Sequence, residues 1–425
     1  MLYRQKKDTH ISVYNGHGYI TNTGLNKRSE VDASGSVFLK ALNDKPQSLE
    51  QLADKLLETF VGVDRAAILP DAKEFYDKFV EDGFLVKGET KEELDLNDSK
   101  TGWNLPVNEN TINFFLPGLN TAFQGFYIYF ARYMQKHHEY FKENIRLSAF
   151  YGSFNNAIWQ GGRSIIGMQP SPLDMEDTIH KINDSGVAVR YTYTNSILEE
   201  KHLNDTLCNL TMELANNGQN EVLVNSPLLE KYLRKNYPDF KYILSTTRCE
   251  RNIDKINEAT EKYDLVVIDY RDNRNIDFLE KIKNKDKIEI LVDDYCPAFC
   301  HFRKKHYETV SKVNLLQGNL NEGPCMETGR PKGIIGFYNS LEAYKATNLS
   351  ADEVYGQYVD MGFKNFKLIG RDDSSLFAFE SFIYYLVKPE FRDKVRDELI
   401  GYYVDYIIRY YGGNKTVRLD QPVKN

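Results

Sequence analysis

From Ile112 to Ile369, short apolar runs alternate with helical patterns, and this alternation restricts the fold more than any other feature of the chain. The runs are Ile112–Leu116, Ile145–Phe150, Val187–Tyr193, Val222–Asn225, Tyr242–Ser245, Leu265–Tyr270, Ile288–Asp293 and Phe366–Ile369. Each is short and rich in β-branched or aromatic residues, as a strand buried on both faces should be. Between them lie helical patterns such as Thr206–Ala215, Pro227–Lys235 and Ile276–Lys283. Strands that alternate with helices run parallel, and eight of them predict an α/β fold with a (β/α)8 barrel. The stretch between the seventh and eighth runs far exceeds an ordinary connection. It is expected to carry extra structure over the barrel mouth.

Ahead of the alternation lies a small mixed unit. Ile11–Tyr14 and Tyr19–Asn22 are strand patterns around a Gly16-His17-Gly18 turn. Ser48 with Gln51 fits a capping box, and Leu49, Leu52, Leu56 and Phe60 share one helical face. Asp71 with Glu74 suggests a second capping box, with Phe75, Phe79 and Val80 behind it. Gly83 suits a helix stop, and Phe84–Lys87 has the pattern of a closing wing strand. Residues 1–90 are therefore expected to form a winged-helix domain. Polar and charged residues follow, which predicts a linker over 91–110 and leaves 111–425 for the barrel.

Gly35–Leu42, the Ser48–Phe60 helix and Phe75–Val86 resemble a PqqD-like recognition element from the systems that mature ribosomally made peptides (RiPPs). The resemblance implies that a precursor peptide's leader adds as a strand to the small sheet and packs on the third helix. Charge argues against nucleic acid as a partner. Asp71–Asp82 holds two Lys against five acidic residues, and the whole chain has a formal net charge of −7. No apolar run reaches the roughly 18 residues of a membrane span. The N-terminus lacks the apolar core of a signal peptide, and five cysteines in 425 residues make no secreted disulfide framework. A soluble, cytoplasmic protein with no membrane partner is expected.

In such barrels chemistry sits at the C-terminal ends of the strands. Arg190, Thr192 and Thr194 fall on one alternating face of the third run, Asn225 ends the fourth, Asp269 the sixth, Asp293-Asp294 the seventh and Arg371 follows the last. Arg190, Asn225 and Arg371 are expected to share one pocket with Cys296, the two arginines favouring an anionic group. Cys296 and Cys300 follow the seventh strand directly. Cys208 lies in the first turn of the helix after the third, and Cys325 sits behind a Gly-Pro turn in the long insertion. Four thiolates there would suit an iron–sulfur cluster, 4Fe–4S. A zinc site on Cys296 and Cys300 with His301 or His306 is the alternative, and no metal the third possibility. Cys249, in Thr247-Arg248-Cys249-Glu250, looks least like a ligand.

Cys296-Pro297-Ala298-Phe299-Cys300-His301-Phe302-Arg303 resembles a radical-SAM motif with Arg303 in place of the third cysteine, displaced to the seventh strand. The scattered cysteines and Phe363–Arg371 resemble the collagenase-like peptidases and their relatives, though the cysteine spacing departs from theirs. That second resemblance implies a barrel with a cysteine-bound cluster. Together the two halves predict a RiPP maturation enzyme that binds a leader and modifies the core peptide at the barrel. The alternative is a non-catalytic scaffold or chaperone that presents the precursor to another maturation enzyme.

Overall fold

The computed structural model describes residues 1–98, 107–119, 124–162, 167–316, 336–369 and 375–412. It divides into two compact units, one of Met1–Leu105 with Pro170–Gly186 and one of Pro106–Gln169 with Val187–Asn425.

The first unit opens with β1 (Leu2–Gln5), β2 (Thr9–Tyr14), β3 (His17–Asn22) and β4 (Lys27–Val31), followed by α1 (Ala33–Ala41) and β5 (Gln47–Ser48). Then come α2 (Leu49–Thr59), α3 (Arg65–Glu81), β6 (Leu85–Gly88) and α4 (Lys91–Asn97). β2, β3 and β4 form an antiparallel meander, and β1 pairs antiparallel with both β5 and β6. Tyr3, Ile20, Leu39, Leu52, Leu56, Tyr76 and Phe79 are buried in one core.

The capping box of Ser48 and Gln51 starts α2. The one expected at Asp71 is absent, because α3 begins earlier, capped by Asp64, and continues through Pro70. Pro70 has no N–H to offer the preceding turn, but Ile68 and Ala72 on either side of it are buried in the core and hold the helix together. Gly83, at φ +86°, turns the chain out of α3 into β6.

Two further elements belong to this unit. Lys91–Asn97, whose composition suggested linker, is a helix with Leu94 fully buried. Arg4 of β1 grips it through Asp95 Oδ1 (2.7 Å) and Asp98 Oδ2 (2.9 Å). The second is α6 (Pro172–Asp184), from far along the sequence.

Asp77 ties α3 to the β1–β6 sheet. Tyr3 donates to it at 3.0 Å, Lys73 at 2.7 Å and Lys87 at 3.0 Å. Burial raises its pKa, but these three donors outweigh that and leave it at about 2, against an ordinary 3.8. A depressed carboxylate stabilises the fold above its unfolded value and loses that contribution as pH falls toward its folded one. The stability gap between wild type and Asp77→Asn is therefore expected to be constant at neutral pH and to close between pH 4 and pH 2. Urea midpoints across that range check it, and a gap independent of pH would refute the assignment.

The second unit is built on β7 (Ile112–Pro117), α5 (Gln124–Lys136), β8 (Ile145–Gly152), β9 (Ala188–Tyr193), α7 (Thr206–Leu214), β10 (Glu221–Val224) and α8 (Pro227–Asn236). β11 (Lys241–Leu244), α9 (Ile253–Lys262), β12 (Leu265–Val267), α10 (Ile276–Glu280), β13 (Ile288–Leu291) and α11 (Arg303–Asn314) follow. The chain ends with α12 (Phe337–Ala343), the single turn α13 (Ala351–Glu353), β14 (Asn365–Lys367), α14 (Ser375–Leu386) and α15 (Arg392–Gly412). β7 through β14 close into a parallel barrel in sequence order. All eight expected strands are present. Side chains ahead of the helices stop the strands cleanly: Asp205, Ser226, Asn252 and Asn275 each accept a backbone N–H of the helix that follows.

Candidate functional site: the barrel mouth

Alternation along β9 sorts its side chains. Tyr191 and Tyr193 turn outward to Thr211 of α7, while Thr192 and Thr194 face the interior and line a cavity at the mouth. That cavity is open to solvent and leaves about 90 Å³ of room for water-sized groups. Leu223, Leu291, Lys367 and Ile369 line its barrel side, and Ser245, Thr246 and Thr247 the turn after β11. Cys296 and Cys300 border it, as do Arg303, His306 and Tyr307 of α11. The long insertion thus furnishes part of the mouth, as its length suggested.

Arg303 organises this rim. Its guanidinium is almost fully buried, 4.1 Å over the Tyr270 ring, and donates to Thr246 Oγ1 at 3.0 Å. Asp269 Oδ2 lies 3.3 Å and Asp294 Oδ2 3.7 Å from it. Arg271 clamps Asp269 through both carboxylate oxygens, at 2.9 and 2.8 Å. Burial raises the Asp269 pKa, and the two arginines more than reverse it, so its carboxyl stays below the usual range. Burial, aided by Asp294, Cys249 and Cys296 and opposed by Arg303, pushes the Tyr307 phenol well above its ordinary value. The loop carrying the two thiols is pinned at three carbonyls: Thr347 donates to Cys296 O (2.8 Å), Tyr270 to Pro297 O (3.0 Å) and Arg271 to Cys300 O (3.2 Å). Thr194 Oγ1 is buried at the cavity wall and has no hydrogen-bond partner among the described residues. A bound polar group would satisfy it.

The residues expected to meet here are only partly assembled. Arg190 points inward but sits one position below Thr192, where Glu221 Oε2 takes its Nε at 2.6 Å and Glu289 Oε2 its Nη1. It stacks 3.7 Å over Phe115. Burial opposes its charge and the two carboxylates more than restore it. Arg190 is therefore part of the barrel's ionic core rather than of the cavity lining. Asn225 supports the rim indirectly by donating to Thr247 Oγ1 at 2.9 Å. Arg371 and Cys325 lie outside the described residues.

Cys208 is fully buried on α7, close to the outward-facing Tyr191 and Tyr193. The wall of β9 separates it from the thiols at the mouth, so the structure does not bring it together with Cys296 and Cys300. A helix that follows a strand packs outside the barrel, and its buried face meets the outward side chains. Burial and the nearby Asp205 push the Cys208 thiol far above its ordinary pKa, the mark of an inert core cysteine. Cys208→Ala is expected to lower stability by about 1–2 kcal/mol with the mouth unchanged. Denaturant unfolding measures the first. Loss of ligand binding at the mouth with stability intact would place Cys208 in the site after all.

Cys249 is the thiol that sequence reasoning set aside. It occupies a left-handed turn (φ +55°) and interacts with Arg303. Arg303 itself registered only as a gap in a cysteine motif. Its burial depends on Asp269, which arrives from β12, and on Asp294, nine residues earlier in its own loop. Among the described residues, no group of three or more His, Cys, Asp or Glu side chains is placed to hold a metal ion. Cys296 and Cys300 alone do not complete a ligand set, and the four-thiolate arrangement does not fit the described residues.

With this geometry in place, comparison with known proteins is informative for the first unit. Residues 24–85 match the family model of coenzyme PQQ synthesis protein D (PqqD). The chain therefore carries a PqqD-like recognition element, which runs from the turn before β4 to the start of β6, ahead of a closed eight-stranded parallel barrel. Among solved structures, TbiB1 in complex with the TbiA(beta) leader peptide is 15% identical and covers 20% of this chain and 99% of its own, with a TM-score of 0.19. The U32 peptidase Mk0906 is 14% identical over 63% of this chain and 96% of its own, with a TM-score of 0.37. SuiB of Streptococcus suis bound to precursor peptide SuiA is 10% identical over 87% and 73%, with a TM-score of 0.23. No curated protein matches the sequence. Among the described residues, no helix is long and apolar enough to cross a membrane.

Proposed function

We propose that this chain matures a ribosomally made peptide: the PqqD-like element holds the precursor's leader, and the barrel mouth acts on the core peptide tethered to it. The observation that carries the reading is the family match over residues 24–85. It includes β4, which among the described residues pairs only with β3 and so presents an edge to which an extended peptide can add. Tethering raises the local concentration of the core peptide, so the mouth needs little affinity of its own. Its part is supported by the buried Arg303 cluster, the unpaired Thr194 hydroxyl and the two thiols at one cavity.

The finer reading adds a soft metal or iron–sulfur centre on Cys296 and Cys300, which would bring electron transfer to the mouth. Its remaining ligands would come from outside the described residues, where Cys325 lies, and no step is assigned to it.

Calorimetry of the full chain against a synthetic leader tests the proposal, the probe being the N-terminal half of the short peptide encoded beside it. One-to-one binding is expected, and absence of binding defeats the reading. Iron and sulfide analysis after anaerobic purification tests the finer one. Iron that disappears in Cys296→Ala and persists in Cys208→Ala supports it, whereas a metal-free chain that still modifies precursor removes it.

A further inference from the structure

The polar side of α6 faces the β2–β3–β4 sheet. His10 of β2 meets Asp184 Oδ2 at 2.7 Å, and its ring stacks on that of His180 at 3.7 Å. Tyr14 donates to Glu176 Oε2 at 2.9 Å, and Thr23, after β3, donates to Asp184 Oδ2 at 2.5 Å. From β4, Arg28 reaches Asp177 Oδ2 at 3.3 Å and Asp174 Oδ1 at 3.5 Å. His10, Tyr14 and Arg28 alternate with Ile11 and Val31, which pack on the core of α1, α2 and α3. The sheet is therefore sandwiched, with the three helices on one face and α6 on the other, and α6 contacts both of its edge strands.

We propose that the recognition unit is discontinuous and that α6, contributed from between two barrel strands, positions the β4 edge for the incoming leader. This rests on the reading above that the leader is the ligand. A three-stranded meander with one bare face twists freely, and an edge strand that must be ordered on binding loses affinity to that ordering. Contacts at both ends of the sheet hold it in one shape before the peptide arrives. The buried ends of the seam do most of this. Asp184 and Glu176 are mostly shielded from solvent, and their partners, His10 and Thr23 on Asp184 and His180, Ser12 and Tyr14 on Glu176, more than offset the burial that would raise their pKa values. Arg28, with its side chain 32% exposed, contributes less. The family match covers 24–85 and leaves α6 out, so a unit defined by it alone lacks this layer.

The test uses the full chain and the same synthetic leader. Asp184→Asn with Glu176→Gln is expected to weaken leader binding at least tenfold and to raise KM for the intact precursor, with kcat and the processing of leaderless core peptide unchanged. Arg28→Ala, a surface truncation that leaves the core untouched, is expected to weaken binding about threefold. Hydrogen exchange at β2 and β3 confirms that the sheet of each variant is still folded. Leader affinity equal to wild type in the folded double variant overturns the inference and leaves the proposed function standing. A wild-type chain that binds no leader defeats the proposed function and this inference together.

Discussion

Arg190→Met is expected to cut the stability of the barrel by about 3–5 kcal/mol, the effect of removing one partner from a buried ionic group. Arg190 and Glu289 are fully buried, and Glu221 is nearly so. Taking away the guanidinium strands two carboxylates in the barrel interior and leaves them, among the described residues, only Lys367, 3.6 Å from Glu289, as an ion-pair partner. Neither carboxylate can be hydrated without opening the strands. The same logic gives the control. Replacing Arg190, Glu221 and Glu289 together by Met or Leu removes the stranded charges and is expected to recover most of the loss, because a well-packed apolar substitute for a buried ionic group is often neutral. Urea unfolding with an unchanged slope separates a stability effect from a change in the unfolded state. A single substitution that lowers stability by less than about 1 kcal/mol would mean the network is open to water.

How far the sequence disclosed this molecule follows from where each interaction lies along the chain. The eight strands were legible because each is a local apolar run, and β9 also disclosed which of its residues face inward. What alternation cannot show is depth or partner. Arg190 was correctly placed on the inner face, but Glu221 and Glu289 become its neighbours only when β9, β10 and β13 are bent into one closed sheet. Cys208 failed for a related reason. A first-turn position says that a residue is near a strand end, not which side of the wall it occupies. Cys296 and Cys300 needed no such inference, because they continue the strand into the mouth. Arg303 was legible as a residue and not as a centre, since one partner, Asp269, follows a different strand and the other, Asp294, comes beside it only when the loop after β13 folds back. The PqqD-like element was recognisable from its helices. The α6 layer left no trace in the pattern, because a polar helix face looks solvated until its partner is known.

The same limit governs the boundary of the first unit, where a fragment of residues 1–90 is expected not to fold cooperatively. Composition marks 91–110 as linker, and a truncation at 90 would follow from it. In the structure that cut removes α4, whose Leu94 is fully buried and contributes about 2 kcal/mol of apolar burial. It also removes Asp95 and Asp98, the anchors of Arg4 in the central strand β1. Gly88, at the end of β6, lies directly against Glu93 and Leu94, so the last strand loses its cover too. Without α6, His10, Tyr14 and Thr23 lose their carboxylate partners on that helix as well. A domain of this size has few kcal/mol to lose. Residues 1–98 restore α4 and should regain a thermal transition at a lower midpoint than the unit shows in the full chain. Far-UV circular dichroism melts and amide dispersion in a heteronuclear NMR spectrum distinguish the two fragments. If 1–90 melts cooperatively at the same midpoint as 1–98, α4 is an ornament of the fold and the boundary drawn from composition was the correct one.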